Sequence, residues 1–142
     1  MNTTFGFGKI EKLCGETRIN KLFIEGASMM AYPMRVVYTI DTEATNANVK
    51  VLVSVPKKKI KHAVDRNRIK RLIREAWRLN SQPIKKFAQE NNLAIALAFV
   101  WLPTENSDFK HVERKVQVVV DKVILNYQVA NSLKVEANEI DE

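Results

Sequence analysis

PKKKIKHAVDRNRIKRLIREAWR, residues Pro56 to Arg78, carries ten Lys or Arg against Asp65 and Glu75, a balance of +8. The whole chain of 142 residues is +7, so everything outside this stretch sums to −1. Charge so localised marks a binding footprint rather than a solubility device. Its chemical complement is phosphate, because neutralising a polyanion releases condensed counterions and supplies affinity without regard to base sequence. Residues 56–61 read as a loop and about 63–79 as a helix, with Pro83 a few residues beyond as its stop. At about 100° per residue, with Ile69 as zero, Leu72, Ile73, Ala76 and Leu79 fall within roughly 80° and form a buried stripe. Arg66, Asn67, Arg68, Lys70, Arg71, Arg74 and Arg78 take the rest of the circumference, with Trp77 at the boundary, under the Arg stems.

Five of those six cations are Arg, whose planar fork grips phosphate in a bidentate way that Lys cannot. Lys57, Lys58, Lys59 and Lys61 add point charges on the loop. An ordinary charge run is a solvated helix face, but one sign and an Arg excess favour nucleic acid. A membrane-surface helix would keep an exposed apolar face, and this helix needs its stripe for the core.

Nearly half the residues are apolar, 46%, so a packed single domain is expected rather than disorder. No apolar run reaches the roughly 18 residues of a membrane span, and the N-terminus lacks the pattern of a signal peptide. Cys14 is the one cysteine, which excludes an internal disulfide and a Cys-based zinc cluster and suits a reducing cytoplasm. Residues 1–15 suit an extended segment, with Phe5 and Phe7 alternating with Gly6 and Gly8. Ile19, Leu22 and Phe23 give a short helix over Glu16 to Glu25 that Gly26 ends. Three apolar runs with β-branched enrichment between them follow: roughly Ala27 to Tyr32, Met34 to Asp41 and Val49 to Val55. Pro33 separates the first two, and the polar loop 42–48 joins the last two as an antiparallel hairpin. Leu93 to Trp101 reads as a strand buried on both faces and closed by Pro103. Ser107 or Asp108 caps a final helix with the stripe Phe109, Val112, Val116, Val119, Val123, Ile124 and Tyr127. The domain is taken as 1–128, and 129–142 as an acidic, frayed tail. The order is α-β-β-β-α-β-α, an α+β fold.

The string from Ala63 to Ala76, AVDRNRIKRLIREA, closely resembles the signature of the bacterial ribonuclease P protein subunit. Ser54-Val55-Pro56-Lys57-Lys58 resembles the lead-in to it, and Phe5-Gly6-Phe7-Gly8-Lys9 and Leu22-Phe23-Ile24-Glu25-Gly26 resemble its N-terminal pieces. The likeness runs in order and spacing over about residues 5–128. It implies a domain similar to domain two of ribosomal protein S5, with a left-handed crossover around the basic helix. It also implies a protein that is not itself the catalyst: a catalytic RNA subunit holds Mg²⁺ and hydrolyses the bond joining the 5′ leader to precursor tRNA.

Carried over by that resemblance, Lys57, Lys58, Arg66, Asn67, Arg68, Lys70, Arg71 and Arg74, with Lys59 and Lys61 beside them, contact the RNA subunit. Phe23 and Tyr38 match aromatic positions lining a cleft for the leader; Ile19 stands where some members carry a second aromatic. Stacking on rings tolerates any base, as an enzyme acting on many leaders requires. No protein catalytic residue and no protein metal site is expected: His62 and His111 are far apart and neither sits in a ligand pattern. The alternatives are a ribosomal or ribosome-assembly RNA-binding protein with the same S5-like domain, and a DNA-binding helix module, whose helix lacks a turn-helix partner.

Overall fold

The computed structural model describes residues 16–42 and 45–140. The extended segment expected over residues 1–15, Cys14 included, lies outside them. Helix α1 (Glu16–Glu25) leads into β1 (Ala27–Ala31), which turns at Tyr32-Pro33, a cis peptide, into β2 (Met34–Asp41). Strand β3 (Asn48–Ser54), α2 (Ala63–Asn80), α3 (Gln82–Asn91), β4 (Ala94–Trp101) and α4 (Phe109–Ile140) complete the chain. The expected order is present, with one further short helix, α3, placed after α2. Its N-terminus uses Pro83, which both stops α2 and starts α3, and its end is Asn92 in the left-handed region at φ 52°.

The four strands make one sheet in the order β1-β2-β4-β3, with β3 parallel to β4 and the other pairs antiparallel. The hairpin expected between β2 and β3 is therefore not formed. The two strands do run in opposite directions, but β4 lies between them. Residues 42–47 need only cross two strand spacings, roughly 10 Å, which six residues span easily. The physical reason is β4 itself: AIALAFVW is the most apolar strand and takes the central place, where both edges are hydrogen-bonded.

The sheet has two unequal faces. Val36, Val51, Val53, Ile95, Leu97, Phe99 and Trp101 point to one side, against α2, α3 and the Val112–Val116–Val119–Val123 stripe of α4. On the other side, among the described residues, a smaller cluster forms, Leu22 of α1 with Val37 and Ala98. Asp108 caps α4, its Oδ1 accepting the His111 N–H at 2.8 Å. Helical backbone continues to Ile140, past the boundary expected at residue 128 and through a stretch taken as frayed. Among the described residues no helix is long and apolar enough to cross a membrane.

The wheel of α2 needs one correction. Trp77 is fully buried, edge-on to Phe99 with ring centroids 5.9 Å apart, whereas Leu79 is 42% exposed. The buried set is Ile69, Ile73, Ala76 and Trp77, whose mean direction lies about 25° round from Ile69 toward Trp77. An indole buries more apolar area than a leucine, so the larger ring decided the helix's rotation.

Gly26 joins α1 to β1 where the backbone passes tightly over the sheet. A Cβ there would stand 2.5 Å from Val37 Cγ1 and closer still to the Leu22 carbonyl oxygen. Gly26→Ala should cost about 1–3 kcal/mol, as overpacking does, read as a lower urea midpoint with unchanged slope.

Candidate nucleic-acid interface

The basic loop is anchored at both ends by apolar side chains. Val55 and Ile60 are buried, and between them the Pro56 carbonyl accepts the N–H of Lys59 at 3.0 Å and of Ile60 at 3.2 Å. This tight turn pushes Lys57, Lys58 and Lys59 into solvent, with Lys61 exposed just beyond. Arg66 reaches back from the first turn of α2. Its Nη1 donates to the carbonyls of Ile60 at 3.0 Å and Lys61 at 2.8 Å. His62 at the N-cap supplies no side-chain cap, and Arg66, which can only donate, does not replace it; instead it clips the lysine loop to the helix through the loop's carbonyls.

Beyond Arg66 the cations fan out. Asn67, Arg68 and Arg71 are exposed, and Lys70 and Arg74 are half-buried with their stems along the helix. Among the described residues the side chains of Arg68, Lys70, Arg71 and Arg74 have no hydrogen-bond or ion-pair partner. Arg78 differs: its Nε donates to Glu75 Oε2 at 3.0 Å and its Nη2 to Glu75 Oε1, a bidentate pair. Hydrogen bonding from that guanidinium holds the Glu75 carboxyl below the usual carboxylate range. One cation is thereby neutralised, and the unpaired positive charge is concentrated toward the N-terminal half of α2 and its loop. Between α2 and the first turn of α4, Arg68, Arg71, Leu72, Arg74, Glu75, Arg78 and Phe109 enclose a groove of about 570 Å³.

The residues expected to line one aromatic cleft are separated. Ile19 is half-buried on α1, packed against the Leu22–Val37–Ala98 cluster, and Phe23 is 39% exposed on the same flank of that helix. Tyr38 lies on the opposite face of the sheet. It shares the side of Val36 and packs against the main core, and its hydroxyl oxygen accepts from Asn126 Nδ2 of α4 at 3.2 Å. The face that carries α1 instead holds a trough of about 610 Å³. Ala94 and Ala96 lie along it, and Lys21, Glu25, Thr39, Asp41, Asn48 and Lys50 wall it. The sign of the trough was present in LAIALAFVW, where alanines alternate with Ile95, Leu97 and Phe99: bulk toward the core, small side chains toward the open face.

One four-stranded sheet carries on one side a helix whose cations, Arg78 apart, have no ion-pair partner among the described residues, and on the other a partly covered face; that charge arrangement complements a polyanion. The family model described as Ribonuclease P matches residues 7–124. The ribonuclease P protein component of Porphyromonas gingivalis is 44% identical over 114 residues, covering 80% of this chain and 83% of the relative. That of Chlorobaculum tepidum is 38% identical over 88 residues, covering 60% and 51%. The solved structure of the Staphylococcus aureus RNase P protein superposes with a TM-score of 0.64 at 21% identity, covering 81% of this chain and 96% of that one. The chain belongs to the ribonuclease P protein family.

If Arg66 works by holding the loop, its loss and the loss of the loop's charges are not independent. Arg66→Ala combined with Lys57→Ala, Lys58→Ala and Lys59→Ala should weaken RNA binding by less than the sum of the separate losses, with a coupling of about 0.5–3 kcal/mol. Additive losses in a filter-binding titration would show Arg66 acting apart from the loop.

Proposed function

We propose that this chain is the protein subunit of ribonuclease P, the endoribonuclease that removes the 5′ leader of precursor tRNA, and that it binds the catalytic RNA subunit through α2 and the loop before it. The observation that carries this reading is the unpaired cation face of α2. Its apolar side is committed to the core, and its other side has no acidic partner beyond Glu75 among the described residues. Arg68, Arg71 and Arg74 offer bidentate donors to phosphate, and Lys57, Lys58, Lys59, Lys61 and Lys70 add diffuse attraction. Asn67, exposed among them, offers both a donor and an acceptor to ribose or base.

The leader strand is assigned to the open sheet face beside α1, with Phe23 as the exposed ring on which a base can stack and Ile19 as its packed support. Tyr38, packed against the main core and bonded to Asn126 on the far side of the sheet, does not touch the leader in this reading. Magnesium ions belong, in this reading, to the RNA subunit and supply the hydrolytic chemistry there. The protein contributes charge neutralisation, so that two polyanions can approach, and a surface that holds the leader extended.

Reconstitution tests the assignment. The protein alone should leave precursor tRNA intact, while protein with ribonuclease P RNA and Mg²⁺ at modest salt should release the leader. Leader release by RNA-free protein would overturn it. Within the assembled enzyme, Phe23→Ala should weaken binding of leader-bearing precursor by about 1–3 kcal/mol while leaving mature tRNA unaffected. Tyr38→Phe should change neither. A leader-specific loss in Tyr38→Phe would place the leader against the other face.

A further inference from the structure

The two flanks of α2 are not equivalent. Arg66 and Lys70 lie on one, while the groove against the first turn of α4 lies on the other. Phosphate alone does not account for that groove. Its rim is cationic, with Arg68, Arg71 and Arg74 unpaired among the described residues, but Leu72 and Phe109 are half-buried within it and present apolar surface. Phe109 packs against the edge of the main core and keeps part of its ring open to the groove. At the same place Glu75 is held by Arg78, an acceptor fixed amid donors.

An apolar floor under an arginine rim is the complement of a nucleotide: a flat base that stacks and flanking phosphates that pair. A peptide of purely apolar character would leave the guanidinium groups uncompensated. The far end of α4 does not reach the groove, because its helical backbone runs from Phe109 to Ile140, about 48 Å.

We propose that the groove between α2 and the start of α4 receives one unstacked nucleobase of the bound RNA, laid on Phe109 and Leu72, with its neighbouring phosphates on Arg68, Arg71 and Arg74. The carboxylate of Glu75 accepts an N–H from the base edge. This rests on the RNA-binding reading of α2 and adds to it a contact that depends on a base rather than on charge.

The probe is a single-stranded uridine hexanucleotide carrying one 2-aminopurine, titrated into the full-length protein at several salt concentrations. Bound to the wild-type protein, the 2-aminopurine should be quenched by stacking. Phe109→Leu, which keeps apolar packing, should lose most of the quenching and bind about ten-fold more weakly, with the slope of log affinity against log salt unchanged because the phosphate contacts remain. Phe109→Tyr should retain both, and Phe23→Ala should retain the quenching. Circular dichroism of all three variants checks that they fold. Quenching that survives in folded Phe109→Leu, or that vanishes in Phe23→Ala instead, would overturn the base site while leaving the cation face intact. Binding by the wild-type protein with no salt dependence, or no binding at all, would overturn the RNA reading of α2 together with it.

Discussion

The burial of Trp77 against Phe99 sets the orientation of everything the helix presents. An α-helix with cations around most of its circumference has many rotations that leave charge in solvent, and its apolar side chains select among them. Here the indole is fully buried while Leu79 is left 42% exposed. The choice has a cost, since Trp77 Nε1 and, one turn later, Ser81 Oγ are buried with no hydrogen-bond partner among the described residues. A buried unsatisfied donor costs about 1–3 kcal/mol, whereas removing a buried tryptophan side chain costs about 3–5 kcal/mol. Packing wins. The helix is thereby turned so that Arg66 comes beneath the lysine loop and Leu72 comes to the surface beside Phe109.

Much of this was legible in the chain, because α2 is strongly patterned: its bounds, its buried Ile69, Ile73 and Ala76, and the exposure of Arg68 and Arg71 follow from a 3.6-residue period. The same holds for α4, whose valines at 112, 116, 119 and 123 are all buried. What failed was information that periodicity does not carry. In MRVVYTID both Val36 and Val37 are buried, one on each face of the sheet, so alternation cannot say to which face Tyr38 belongs. Its partner Asn126 is 88 residues away in sequence, and no local pattern announces that contact. The family likeness supplied aromatic positions but not the side of the sheet on which this chain holds them.

The strand order was hidden for a related reason. Strands adjacent in sequence usually pair, and β2 and β3 are joined by a short polar loop, so a hairpin is the simplest expectation. The continuous apolar character of β4 argues the other way, because a strand that is buried and hydrogen-bonded on both edges must have two neighbours. Placing β4 between β2 and β3 satisfies it and requires the β3-to-β4 connection to cross over, since those strands are parallel. Helices α2 and α3 are that crossover. The basic helix is thus lodged by the topology, forming the first half of the connection from the end of β3 to the start of β4.

This arrangement places two charged surfaces on opposite sides of one sheet. The trough beside α1 is walled by Lys21 and Lys50 but also by Glu25 and Asp41, a mixed lining that neutral or weakly charged contacts suit better than dense phosphate. The net positive charge lies with α2 and the loop before it: residues 56–78 sum to +8, and the rest of the chain to −1. A rigid sheet, roughly 10 Å from the helix layer packed on it, separates the two, and residues so far apart with no shared partner contribute additively. A large polyanion bound along α2 therefore leaves the trough open and its chemistry unchanged. A second, single strand laid across Ala94 and Ala96 need not compete for the arginines. The small side chains that β4 turns toward that face leave room for a strand to lie close to the backbone, while Ile95, Leu97 and Phe99 on its other side hold the helix proposed to engage the larger partner.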